Sequence, residues 1–380
     1  MNVLITGGRV IDPANGVDQT QDLFIRDGKI AAFDDTIRVG LVGCGGRGTG
    51  AAVQALSTRP NVKLVAMADA FGDQLERSLK RITRSVGSRK ERVAVTPERR
   101  FTGFDAYKKL IASDVDLVIM ATPPGFRPTH FAACVNAGKH VFMEKPMAVS
   151  VKQAEEILEA AESAGTKLMD GYMKRYDAGN ELVRATVDQF RQTGELGALT
   201  YVRNHGFGGD WVCNLDTPRD NTNERQPSAS EPIPDWLSAD RAGSYLSYLQ
   251  QYTHNINLLR WFLDAGDDAS VKVVDLDSNG FDGVVIFEMA GNRAILESGN
   301  ISHYRWDEHT QIYFQHGWIH TWAPPLLLKN TPAEVEIYRA GEEQQITRPI
   351  PKPSWTWSYH REAKHFIQNI RSNEPFRSSG

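Results

Sequence analysis

Cysteine is scarce in this chain: Cys44, Cys134 and Cys213 are the only three in 380 residues, and they lie far apart. Such spacing offers neither a disulfide framework nor a zinc site built on paired thiolates, so a reduced, cytoplasmic setting is the expectation. Histidine points the same way. None precedes His130 and no His-x-His occurs, so no metal centre is expected. Positive charge is not in excess either: 43 Lys and Arg stand against 47 Asp and Glu, a formal net charge of -4, which argues against a nucleic-acid partner. No apolar run approaches the about 20 residues that span a membrane. The opening residues MNVLITGGRVIDPANG lack the basic start and apolar stretch of an export signal.

What is present is the composition of an ordinary globular protein, 41% apolar and 24% charged, long enough for two cores. Residues 1–35 read as short strands broken by Gly and Asn-Gly turns. From Thr36 the pattern changes to IRVGLVGCGGRGTG, an apolar strand running into glycines and then into a helix. VKLVAMAD, VDLVIMAT and HVFMEKP follow as strands, with FDAYKKLIA and THFAACVNAG between them at helical period. Strands alternating with helices predict a doubly wound parallel sheet over 36–150. Beyond residue 150 come a polar, Pro-rich loop, the helix-like YLQQYTHNINLLRWFL, and alternating segments such as VKVVDLD, GVVIFEMAGNRAILESG and EVEIYRAGEEQQITR. These predict an α/β unit over 151–380 with antiparallel strands. Every tryptophan lies in this half.

Gly43-Cys44-Gly45-Gly46-Arg47-Gly48 has the spacing of a dinucleotide-binding corner, and it sits where that spacing carries meaning, after a strand and opening a helix. Gly43 permits the tight turn, Gly45 lets the backbone approach a diphosphate, and Gly48 lets helix and strand pack closely. Asp69 ends the second strand, about 20 residues on, where an acid accepts from the adenosine 2′-hydroxyl and repels a 2′-phosphate. That favours NAD over NADP. The basic run RSLKRITRSVGSRKERV could neutralise a phosphate, but such a run is ordinarily a solvated helix face. Glu144-Lys145-Pro146 follows HVFM, at the carboxyl edge of the sheet where open α/β folds bind ligands. There Lys145 can exchange a proton with a reacting hydroxyl, and Glu144 can hold a ribose hydroxyl.

Taken together, VGLVGCGGRG, the acid in VAMAD, ATPPGFRPTH, AGKHVFMEKPMAVS, GYMKRYD and THNINLLRWF resemble the Gfo/Idh/MocA family of glucose-fructose oxidoreductase and inositol 2-dehydrogenase, from Ile37 onwards. The resemblance implies a Rossmann domain followed by an α/β domain with a large open, mainly antiparallel sheet, commonly used to form dimers or tetramers. It also implies that Thr122, Pro123 and His130 line the nicotinamide side and that Lys145 is catalytic. Members often place a carboxylate four residues before a catalytic histidine. Here His254 matches the histidine and Gln250 stands in the acid's place, able to orient the ring but not to transfer a proton. Asn257 lies near the same face. Tyr172, Lys174 and Arg175 are expected to approach cofactor or substrate, a structural ion pair being the other reading. Indole faces suit sugar rings, and Trp211, at the entrance to the polar loop, is the candidate. Members continue past Pro375 into a further helix, so the chain is expected to be truncated or recombined.

Residues 1–35 resemble the opening strands of the dihydroorotase and dihydropyrimidinase class of amidohydrolases, but the metal-binding His-x-His does not follow, which makes this an appended extension. The expected activity is NAD-dependent oxidation or reduction of a secondary alcohol in a sugar, glycoside or cyclic polyol. An NAD-dependent glycosidase acting by transient oxidation and a non-catalytic NAD-binding protein are the alternatives.

Overall fold

Three antiparallel strands, β1 (Asn2–Asp12), β2 (Val17–Arg26) and β3 (Lys29–Ala32), form the N-terminal meander that the turn signals predict. The computed structural model describes residues 2–13, 17–26, 29–32, 36–208, 222–224, 231–300, 307–324, 328–341, 344–353, 355–370 and 374–378. Among these, no helix is long and apolar enough to cross a membrane.

A parallel sheet of six strands follows. In chain order its elements are β4 (Ile37–Val42), α1 (Gly46–Leu56), β5 (Val62–Asp69), α2 (Gly72–Val86), β6 (Arg100–Thr102) and α3 (Ala106–Ile111). Then come β7 (Leu117–Met120), α4 (Arg127–Asn136), β8 (His140–Met143), α5 (Val151–Ala164) and β9 (Leu168–Asp170). The strand order is β6-β5-β4-β7-β8-β9, so the chain builds outward from β4 on one side and then crosses to the other. Because both faces are covered, the strands are apolar throughout rather than alternating. Leu41, Leu64 and Ile119 face α1 and α2, while Val42, Val118 and Met143 face α3, α4 and α5. The carboxyl ends of β4 and β7 flank the place where the winding reverses, which is where such sheets hold ligands.

The parallel sheet also draws on residues past 150. β9 is its edge strand, and the C-terminal helix α8 (Ser358–Asn369) packs Phe366 and Ile367 into the core beside α1. Ser378 then covers part of the β9 edge, its carbonyl accepting from Asp170 N–H at 2.9 Å and its hydroxyl donating to the Asp170 carbonyl at 2.7 Å.

The second unit comprises α6 (Ala178–Thr193), β10 (Leu199–Gly208), α7 (Ala239–Leu263), β11 (Ala269–Leu276), β12 (Gly283–Met289) and β13 (Asn292–Asn300). It continues with β14 (Asp307–Phe314), β15 (Gly317–Trp322), β16 (Glu334–Arg339), β17 (Gln345–Thr347) and α8 (Ser358–Asn369). Its eight strands run β11-β12-β13-β10-β14-β15-β16-β17, antiparallel except for β10 beside β13. One face packs Val202, Leu296 and Ile312 against Phe190 of α6 and Leu259 and Phe262 of α7. Strand alternation turns Arg203, His205, His309, Tyr313, Trp318 and His320 to the opposite face, where they are half-buried. This is the doubly wound sheet and large antiparallel sheet that the sequence predicts.

Candidate functional site

The site begins at the corner between β4 and α1. Gly43 has φ of +93°, and a Cβ there would stand 2.7 Å from the Ala121 carbonyl carbon. At Gly48 a Cβ would overlap the Gly43 carbonyl oxygen, so only glycine lets helix and strand approach this closely. Gly45 and Gly46 differ: among the described residues, nothing beyond the adjoining backbone lies within 4 Å of where their Cβ atoms would be. The N-cap of α1 has no side-chain cap and its first turn holds no acid, so open space meets uncapped N–H groups. That cradle fits a dinucleotide diphosphate.

The neighbouring groups brace the corner. Asp69 takes the Cys44 N–H at 2.6 Å on one oxygen and the Phe71 N–H at 2.9 Å on the other, and burial raises its pKa. Cys44 turns inward, its buried thiol pushed well above the usual range by burial. Arg47 reaches sideways: its Nε donates to Glu144 at 2.6 Å, and its guanidinium lies 4.6 Å over the Tyr359 ring. Glu224, from the polar loop, caps α2 instead of leaving it open. Its carboxylate accepts from Gly72 and Asp73 N–H at 2.9 and 2.6 Å, next to the Asp69 end of β5.

At the other end of the crevice, Thr122 Oγ1 lies 3.2 Å from His130 Nδ1. The His130 ring stands between Tyr107 and Phe126, and burial pulls its pKa down to about 4, which keeps the imidazole neutral. Pro123 opens the turn that leads into α4. Buried Arg127 ties this loop to the Glu-Lys-Pro turn by donating to the carbonyls of Thr122, Glu144 and Pro146. Gly125 N–H donates to Glu231 at 2.9 Å, a second contact from the polar loop.

Lys145 projects from the end of β8 and donates from Nζ to the main-chain carbonyl of Gln250 at 2.6 Å. Burial lowers its pKa to about 8 despite the neighbouring Glu144. His254, one turn further along α7, has its pKa driven well below the ordinary value by burial and by Lys145, and among the described residues its Nδ1 has no hydrogen-bond partner. Tyr172 stands edge-on to it at 6.2 Å and shares a hydrogen bond of 2.8 Å with Thr253. Arg175 donates to Asn257 at 2.7 Å and to the Arg377 carbonyl at 2.8 Å.

One expectation needs correction and one alternative is decided. Gln250 does not orient His254, because its side chain is exposed and the helix offers its main-chain carbonyl to Lys145 instead. For Lys174 the structural alternative holds: it is buried in an ion pair with Glu308 of β14, near enough to Lys145 and His254 to lower the pKa of each. Trp211 lies outside the described residues.

Residues 37–172 match the family described as the oxidoreductase family with an NAD-binding Rossmann fold. The inositol 2-dehydrogenase of Rubrobacter xylanophilus is 30% identical over 305 residues, which cover 77% of this chain and 72% of that protein. The chain belongs to this oxidoreductase family. Against the inositol 2-dehydrogenase of Salmonella typhimurium, 26% identical over 186 residues, the match covers 48% of this chain and 50% of that protein, about half the relative's length. A 3-ketoreductase from Actinomadura kijaniata, solved with NADP and TDP-benzene, superposes with a TM-score of 0.63 at 18% identity over 90% of this chain and 92% of that one.

In this member of the family, sequence reasoning missed Asp170, Arg127, Glu224, Glu231, Tyr359 and Glu362. Only Asp170 left a signal, as a carboxylate closing a short strand at the carboxyl edge of the sheet. It is 1% exposed, and burial raises its pKa to about 7. Glu362 is equally buried, neither oxygen has a hydrogen-bond partner among the described residues, and burial and Glu144 hold its pKa well above the usual carboxylate range. The Asp170 carboxyl holds its proton more tightly folded than unfolded, so it stabilises the fold at low pH and that stability is lost as pH rises from about 4 through 7. It contributes a slope of about 1.4 kcal/mol per pH unit in this window. Asp170→Asn should therefore flatten the fall in stability between pH 4 and 7, measured by denaturant unfolding at stepped pH. An unchanged slope overturns the assignment.

Proposed function

We propose that this protein is an NAD-dependent dehydrogenase acting on a secondary alcohol of a cyclic polyol, sugar or glycoside. The observation that carries the reading is Lys145, held against α7 one turn before His254 at the carboxyl edge of the sheet, with a lowered pKa and an open glycine corner beside it. Similarity to inositol 2-dehydrogenases supports the substrate class. Gly43, Gly45, Gly46 and Gly48 would hold the diphosphate, Asp69 the adenosine ribose, and Thr122, Pro123, His130 and Glu144 the nicotinamide end. When bound, the nicotinamide donates or accepts the hydride. Lys145 takes the hydroxyl proton during oxidation and returns it during reduction. His254, kept neutral, presents its free Nδ1 to the same hydroxyl, and Tyr172 packs beside it. Arg127 fixes the loop carrying Thr122 relative to the turn carrying Lys145, so the two ends of the reacting pair keep their spacing.

The functional division that goes with this reading is an appended extension over 1–35, dinucleotide binding over 36–150 and substrate binding and self-association over 151–380. The same reading makes the protein a cytoplasmic homodimer or homotetramer. Incubating it with NAD and a panel of inositols, sugars and glycosides should yield NADH with at least one. Aglycone release without net NADH would establish the glycosidase alternative, and coenzyme binding without turnover across the panel would establish a binding protein.

The preference for NAD over NADP has a second support beside Asp69. A 2′-phosphate placed at the start of α2 would meet the Glu224 carboxylate already seated on the Gly72 and Asp73 N–H groups. Glu224→Gln should tighten NADP by about tenfold relative to NAD, as expected for removing one nearby charge at a solvent-exposed edge. Isothermal titration with both coenzymes checks this, and an unchanged ratio rejects the role of Glu224.

A further inference from the structure

On the open face of the eight-stranded sheet, His205 of β10 stands directly opposite His309 of β14, and Asp307 lies two residues before His309. The ligating atoms of these three side chains all lie within 4.8 Å of one another. His205 Nε2 is 3.9 Å from Asp307 Oδ2, and His309 Nδ1 is 3.5 Å from Asp307 Oδ1. Such gaps are long for hydrogen bonds but close to the about 3 to 3.5 Å that separates two donors sharing one ion at about 2.1 Å each. Among the described residues, no lysine or arginine lies within ion-pair distance of Asp307.

The surroundings are those of a metal-ligating imidazole. Glu297 Oε2 lies 2.8 Å from His205 Nδ1. A carboxylate can only accept there, so the proton sits on Nδ1 and the Nε2 lone pair is left facing Asp307. Glu297 is fixed in turn by Arg203, which donates to both its oxygens at 2.9 and 2.8 Å. The His205 ring is stacked on Phe207 at 4.3 Å and on His309 at 4.6 Å, which limits its rotation. The two histidine rings are tilted by 21° to one another.

We propose that His205, His309 and Asp307 bind a divalent transition metal of the zinc class. Two imidazole nitrogens and one carboxylate oxygen favour Zn²⁺, Co²⁺ or Ni²⁺ over Mg²⁺ or Ca²⁺, which prefer oxygen ligands throughout. The ion pins β10 to β14. Strand alternation sends the next residue, Glu308, through the sheet to Lys174, so the site lies on the other side of β14 from the ion pair and apart from the Lys145 crevice.

The test uses the full chain, freed of metal with a chelator and titrated with Zn²⁺ by calorimetry and with Co²⁺ by visible absorption. One equivalent per chain with d–d bands of a nitrogen-ligated ion is expected. His309→Gln, close in shape to histidine, should abolish the bands, and Glu297→Gln should weaken Zn²⁺ by about tenfold to a hundredfold through loss of the orienting hydrogen bond. Circular dichroism of both metal-free variants monitors folding. Should His309→Gln unfold the chain, Asp307→Asn gives the same reading. Failure of the wild-type chain to take up either ion, or uptake that these substitutions leave unaltered, overturns the proposal.

Discussion

Lys145→Ala should lower kcat on a confirmed polyol substrate by about 10²-fold to 10⁴-fold, the range for removing a positioned acid–base group, while the Kd for NAD changes little. The lysine is placed for that effect by two opposing influences. Burial pulls its pKa down to about 8, and Glu144 beside it limits the fall. A proton-exchanging group works best with a pKa near the operating pH, and an ordinary lysine would stay charged. The sign of the pH dependence follows. In the direction of alcohol oxidation, activity of the wild type should rise with pH and level off above about 8, as Lys145 loses its proton. In the direction of ketone reduction it should fall through the same region. The alanine variant should lose that limb from both profiles. Lys145→Arg, which keeps the charge but cannot release the proton, should be as slow as alanine in oxidation. Unchanged turnover in Lys145→Ala, with folding and coenzyme binding verified, would remove Lys145 from the chemistry.

The largest effect on stability is expected at Lys174. Its ammonium group meets both oxygens of Glu308 in the interior, joining the turn before α6 to β14. Taking two charges out of water costs several kcal/mol per ion, and their mutual attraction offsets this only while both are present. Lys174→Met should therefore destabilise the fold by about 3–5 kcal/mol, because Glu308 remains buried without that positive charge. Combining it with Glu308→Leu should recover most of the loss, since an apolar pair of similar volume carries no desolvation cost. Denaturant unfolding of the two single variants and the double variant measures the coupling. Strictly additive losses would show that the pair contributes no interaction of its own.

Much of this architecture is legible in the sequence. The glycine corner was legible because dinucleotide binding constrains backbone conformation, and only glycine tolerates the positive φ at Gly43 and the close approach at Gly48. The parallel sheet was legible because strands buried on both faces must be apolar throughout. Less legible were the short strands β6 and β9, whose three residues each carry no periodicity, and β10, whose LTYVRNHGFG mixes polar and apolar residues yet lies inside the second sheet. The Gln250 correction and the choice between the two readings of Lys174 share one cause. Sequence spacing puts Gln250 and His254 on one helix face, but it does not say whether side chain or main chain meets Lys145, and it does not reveal that Glu308 waits for Lys174 from over a hundred residues away.

By itself, then, the sequence determined the elements whose signal is local: the alternation of strand and helix, the corner that suits a diphosphate, the acid at Asp69 and the lysine after HVFM. Tertiary structure alone decided which distant groups meet. It brought Glu224 onto the start of α2, closed α8 over α1, set Arg127 between two loops, and gathered His205, Asp307 and His309 on one face. The physical reason is range. Backbone conformation and burial pattern repeat over a few residues and leave a periodic trace, whereas contacts between strands and loops far apart in the chain depend on how whole layers pack, which no short window records.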